Sequence, residues 1–153
     1  MKTFEENINK ESNTIKEFIN TTGNAVKMRK MMNEGYSRYD FTFSLKNTVY
    51  LTEVKTRNVS KNRYADTILE QSKIDAIQSI ADDFNMSNAS DFNIKVGFLV
   101  SFSCGGMYFF DINKVKTTTS IMPCPKTSST GGSQEVINKK LRHFRIEDGV
   151  KIK

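Results

Sequence analysis

Apolar residues recur at three- and four-residue spacing over residues 3–20, where Phe4, Ile8, Ile15, Phe18 and Ile19 form one stripe. Thr21-Thr22-Gly23 follows as a stop signal, so the pattern predicts a helix. Over 24–35, Val26, Met28, Met31 and Met32 fit neither the helical nor the strand period, and that stretch stays open between a short helix and a strand with a loop. Residues 39–45 and 48–56 are rich in aromatic and β-branched side chains and flank Lys46-Asn47, a plausible two-residue turn, which reads as a β-hairpin. Over 64–84, Leu69, Ala76, Ile77, Ile80, Ala81 and Phe84 return to helical spacing, with Asn62 as a candidate cap. Residues 94–102 and 107–112 then predict two buried strands joined through Cys104-Gly105-Gly106. A Thr/Ser-rich stretch with Pro123, Pro125 and a Gly-Gly pair predicts a mobile surface loop over about 117–134. The basic segment 135–153 interleaves Ile137, Leu141, Phe144 and Ile146 with cations, as a helix turning into a strand on a sheet edge would. The order of elements describes an α/β domain, and 153 residues suit a single one.

Composition narrows the function more than it refines the fold. With 37% hydrophobic residues, eleven Phe and five Tyr, the chain can build a core without disulfides or metal staples. No apolar run approaches the ~20 residues of a membrane span, and the amino terminus lacks a signal-like stretch, so a soluble protein of the cytoplasm is expected. Cys104, Cys124 and His143 are the only residues of their types, which excludes most zinc sites and makes thiol catalysis a poor reading. Acids, lysines and hydroxyls remain for chemistry. The net charge of +6 and pI near 9.3 suit a polyanionic partner, although many basic domains simply have a solvated lysine surface.

The focal point is Glu53-Val54-Lys55. Nine Glu and 17 Lys in 153 residues produce about one Glu-x-Lys by chance, so the triplet means little without its context. In a strand, residues i and i+2 share a face, which sends Glu53 and Lys55 together. A two-residue turn at Lys46-Asn47 places Asp40 directly across from Glu53, with Cβ atoms about 4.5–5.5 Å apart. Like charges so placed call for a cation, and two hard carboxylates beside a lysine suit Mg²⁺ or Mn²⁺ in phosphodiester hydrolysis. A solvated Asp–Lys or Glu–Lys pair on a sheet face is the competing reading from spacing alone.

Tyr39-Asp40, then Tyr50-Leu51-Thr52-Glu53-Val54-Lys55-Thr56-Arg57, then a basic loop and Ile68-Leu69-Glu70-Gln71-Ser72-Lys73, resembles the PD-(D/E)XK nuclease superfamily. That superfamily includes restriction endonucleases, Holliday junction resolvases and many phage nucleases. The resemblance covers about residues 5–114 and implies a restriction-endonuclease-like core, a central mixed β-sheet flanked by helices in the order α-β-β-β-α-β. It departs from the family in having Tyr39 where a proline often precedes the first acid, and in lacking a clear first core strand between Val26 and Tyr36. It implies a metal-dependent DNA nuclease, endo- or exonucleolytic, with branched or phage DNA among the substrates it suggests, and with Mg²⁺ or Mn²⁺ held by Asp40, Glu53 and the Val54 backbone carbonyl. A homodimer would suit cutting two strands, and a bacterial or phage-infected cell is the setting the resemblance suggests.

Helix one offers a further acid, and periodicity selects Glu11, on the stripe of Ile8, Ile15 and Phe18, over Glu17. Gln71 and Lys73 resemble the family's polar pair near the scissile phosphate, while a solvated helix face would explain either. Arg57, Lys61, Arg63 and Tyr64 follow the motif strand and would meet flanking phosphates. Lys139, Lys140 and Arg142 form a second candidate DNA contact, and His143 has no evident partner. The alternatives are a catalytically inactive nucleic-acid-binding domain of the same fold and a structural protein that uses none of these residues.

Overall fold

The computed structural model describes residues 4–23, 27–31, 38–58, 65–87, 91–126 and 135–153. Helix α1, Phe4–Thr22, ends where the Thr22 hydroxyl donates to the Phe18 carbonyl at 2.8 Å and Gly23 takes a left-handed φ of 59°. Its Ile15 and Phe18 are buried. The open stretch that follows contains β1, Lys27–Met31, antiparallel to β2, Phe41–Leu45. The ladder shifts register between Met28 and Lys30, which breaks the strand period between Met28 and Met31, while Val26 and Met32 lie outside the described residues.

Strand β2 turns into β3, Thr48–Arg57, in the expected register: Phe41 faces Thr52 and Leu45 faces Thr48. The turn's left-handed residue is Lys46, at φ 55°, rather than Asn47. Beyond the hairpin come β4, Asp66–Glu70, α2, Gln71–Ser87, and β5, Asn93–Phe102, which runs parallel to β3. Strand β6, Met107–Asp111, pairs antiparallel with β5, and β9, Val150–Lys151, pairs with β6. Together they form a mixed sheet in the order β1-β2-β3-β5-β6-β9. Strands β7, Thr117–Pro125, and β8, Val136–Arg145, join β4 in a second sheet, ordered β4-β8-β7.

Helix α1 covers one face of the large sheet, where Phe18 meets Phe41, Phe43 and Phe109 beside Val54 and Leu99. Helix α2 covers the other through Ile74, Ile77 and Ala81, against Val96, Phe98 and Val100. The small sheet completes that second layer: Phe144 of β8 packs its ring on Phe98 and Phe110. The order α1-β1-β2-β3, then α2 and β5, is the expected restriction-endonuclease-like core, with β4 inserted before α2.

Three expectations are corrected. The helix predicted over 64–84 begins only at Gln71, because Asp66–Glu70 is a strand whose Thr67 and Leu69 turn inward against β8. Asn62, outside the described residues, therefore lies well before that helix, and Phe84, expected on its apolar stripe, is 51% exposed. Thr117–Pro125, predicted as part of a mobile loop, is a strand. Its β-branched residues favour extended backbone, and its two prolines are tolerated because β7 is an edge. The predicted helix at the start of the basic segment is strand β8, while the strand on the sheet edge is β9.

Candidate active site

The hairpin brings Asp40 against the middle of β3. Its backbone N–H donates to the Thr52 carbonyl at 2.9 Å, and its Oδ2 accepts from the Val54 N–H at 2.7 Å. Leu51 packs in the α2-side core, and strand alternation sends Glu53 and Lys55 to that same side. Glu53 is 7% exposed, and its Oε1 lies 3.6 Å from Lys55 Nζ and 3.7 Å from Lys73 Nζ of the first α2 turn. Starting α2 at Gln71 is what sets Lys73 above this carboxylate.

The electrostatics draw Glu11 of α1 into the same cluster. Burial, joined by the Glu53 charge, raises the Glu11 pKa against the relief of Lys55, Lys73 and a hydrogen bond with Asp40. Burial, with Glu53 and Glu11 nearby, pushes Asp40 up to about 8 despite the Val54 N–H. Burial lowers the Lys55 pKa, with Lys73 adding repulsion and Glu53 opposing. For Lys73 burial also disfavours the charge, but Glu53, a hydrogen bond with Lys55, and the acids Glu70 and Asp40 outweigh it, so its pKa is raised. Glu17 is engaged elsewhere, in an ion pair with Lys153.

The Glu53 charge adds to burial in raising the proton affinity of both Glu11 and Asp40, and the three acids together form a donor set suited to a hard divalent cation. Among the described residues no three acidic, His or Cys side chains converge tightly enough to ligate one ion, because Glu53 is turned toward two ammonium groups. The donor chemistry fits a cation that would take the place those ammonium groups hold.

Other predicted site residues are placed differently. Gln71 is buried, donates to Asp75 Oδ1 at 2.8 Å and accepts from Arg142 Nε at 3.0 Å, so two candidates join α2 to β8. Lys139 pairs with Glu70 at 3.1 Å, while Lys140 is exposed. Arg57 donates from Nη2 to the Ile68 carbonyl at 2.6 Å and ties β3 to β4. Lys61, Arg63 and Tyr64 lie outside the described residues.

His143 is corrected outright: it has two partners. Its Nδ1 lies 2.9 Å from Asp66 Oδ2 and its Nε2 lies 2.6 Å from Ser120 Oγ, a polar row across β4, β8 and β7. No local signal links residues 77 and 23 positions away, so only the pairing of β4 and β7 with β8 reveals them.

No family model matches the chain, and neither does any curated protein. Among solved structures, the chain is similar to Hjc, a Holliday junction resolvase from the archaeal hyperthermophile Archaeoglobus fulgidus. The TM-score is 0.54 at 12% identity, over 92% of this chain and 95% of that one. At that identity the likeness is one of fold: a mixed sheet flanked by helices, of the restriction-endonuclease-like kind.

Proposed function

We propose that the chain is a divalent-metal-dependent nuclease that hydrolyses DNA phosphodiester bonds. The observation that carries this reading is the cluster of Glu11, Asp40 and Glu53 with Lys55 and Lys73, on a fold similar to that of a Holliday junction resolvase. Asp40 and Glu53, with Glu11 and the Val54 carbonyl, would hold Mg²⁺ or Mn²⁺. When bound, the ion supplies neutralisation of phosphate charge and acidification of a water.

The chain's own groups divide the remaining work. Lys73, whose proton is held more tightly than usual, stays cationic and suits a phosphate oxygen. Lys55, whose proton is held less tightly, suits orienting the attacking water or accepting its proton. The Val54 N–H fixes the Asp40 carboxylate, so that acid is aimed by backbone rather than by a flexible partner. The net charge of +6 favours a polyanionic substrate.

The test is incubation of purified protein with plasmid, linear duplex and four-way junction DNA under Mg²⁺, Mn²⁺ or chelator, beside a Glu53→Gln variant. Metal-dependent cutting that the variant loses is expected. Binding of DNA without cutting under either metal would replace this reading with that of an inactive binding domain of the same fold.

A further inference from the structure

A cleft of about 220 Å³ opens where the parallel strands β3 and β5 end and α1 passes over them. Its floor includes Thr56 and Ser101, which face each other across the β3–β5 ladder, and its walls carry Lys10, Asn13, Arg57 and Ser103. Among the described residues lining it, both charged groups are cations, and hydroxyl and amide groups supply most of the remainder. The carboxend of parallel strands is where open α/β sheets place ligands, and this volume falls below that of a drug-sized pocket.

Cations with several neutral hydrogen-bond donors and no acid match one small oxyanion. A terminal phosphate has three non-bridging oxygens to share among these donors, whereas a phosphodiester has two, and its second negative charge gains more from paired cations. Thr56 lies three residues beyond Glu53 on β3, about 10 Å at ~3.3 Å per residue, and on the opposite, α1-facing side of the sheet, so a strand engaging both would pass around the end of β3. At about 3.4 Å per stacked nucleotide, that path takes about three nucleotides or more. We infer that this cleft binds the terminal phosphate of a nucleic-acid strand and so makes the protein a reader of phosphorylated ends. The inference rests on the nuclease reading for its substrate and not for the existence of the cleft.

Two measurements test it. Inorganic phosphate titrated into the metal-free protein, followed by amide chemical shifts, should perturb residues 10–14, 56 and 101–103. Lys10→Gln combined with Ser101→Ala should weaken that binding by about tenfold or more, with the other amide shifts of the fold retained. Matched duplexes ending in 5′-phosphate, 3′-phosphate or hydroxyl should then be cut at different rates, one phosphorylated end being preferred. The double variant should lose that preference and keep the rate on the hydroxyl end. Phosphate binding unmoved by the double variant, or equal affinity and rate on all three ends, overturns the inference while leaving nuclease activity standing. Phosphate binding that the variant abolishes in a protein that cuts nothing leaves the cleft standing and removes the nuclease reading.

Discussion

Asp40 is the residue whose chemistry departs furthest from that of a carboxyl in water. Its pKa, ordinarily 3.8, stands at about 8 because it is buried beside Glu53 and Glu11. Between those values the folded chain keeps a proton that the unfolded chain has released. The stability this group confers is therefore full below about pH 3.8 and is lost as the pH rises to about 8. In chelator, Asp40→Asn should flatten the decline in melting temperature across that window. Mg²⁺ should raise the wild-type melting temperature more at about pH 8.5 than at about pH 5.5, because ion and proton compete for the same oxygens. Superimposable pH profiles for wild type and variant would show that Asp40 ionises as it does in water. Lys55 carries a different expectation. Lys55→Ala should lower cleavage by at least about 10²-fold while DNA affinity in Ca²⁺ stays within about threefold, because its role is expressed in the transition state. Wild-type cleavage by that variant would remove Lys55 from the mechanism.

At the scale of elements, the site depends on how closely three strands and a helix approach. Gly97 of β5 has no Cβ where one would sit 2.6 Å from the Phe109 ring and 3.1 Å from Thr52 Oγ1. That ring is held by Phe18, Phe43 and Tyr50 and has little freedom to yield. Gly97→Ala should thus cost about 1–3 kcal/mol in urea unfolding, as overpacked cores do, with an unchanged denaturant slope. An unchanged midpoint would mean that the α1-side aromatic cluster is loose. Strand β8 has a comparable role on the opposite face, since Phe144 fills the core while Arg142 and Lys139 reach back to Gln71 and Glu70 at the start of α2. The basic segment thereby helps to hold Lys73 over Glu53.

For the whole molecule, the +6 charge is distributed unequally between structure and surface. Lys139 has only 12% of its side chain exposed and is paired with Glu70, while Lys140 faces solvent. If β8 meets DNA, Lys140→Gln should reduce the slope of log affinity against log salt by about 0.9 on duplex. Lys139→Gln should leave that slope nearly unchanged and lower the melting temperature instead, by stranding the half-buried Glu70. Fluorescence anisotropy at several salt concentrations distinguishes the two, and equal slopes for both variants would show that β8 does not face the phosphates.

The hairpin, and with it the placing of Asp40 against β3, is legible in the residue pattern alone, because a two-residue turn sets register between neighbours without reference to the rest of the chain. The α1 stripe likewise told Glu11 from Glu17, since one helix face must meet the sheet. Pairing between distant segments set the rest. Residues 66–70 carry apolar spacing that a helix could use, and only pairing with a strand about 70 positions later makes them β4 and shifts the start of α2 to Gln71. The partners of His143, the tie from Arg57 to Ile68 and the union of Gln71 with Arg142 all depend on that same distant pairing. Contacts of this kind leave no local period, because their register is set by closing long loops rather than by the pattern within either segment.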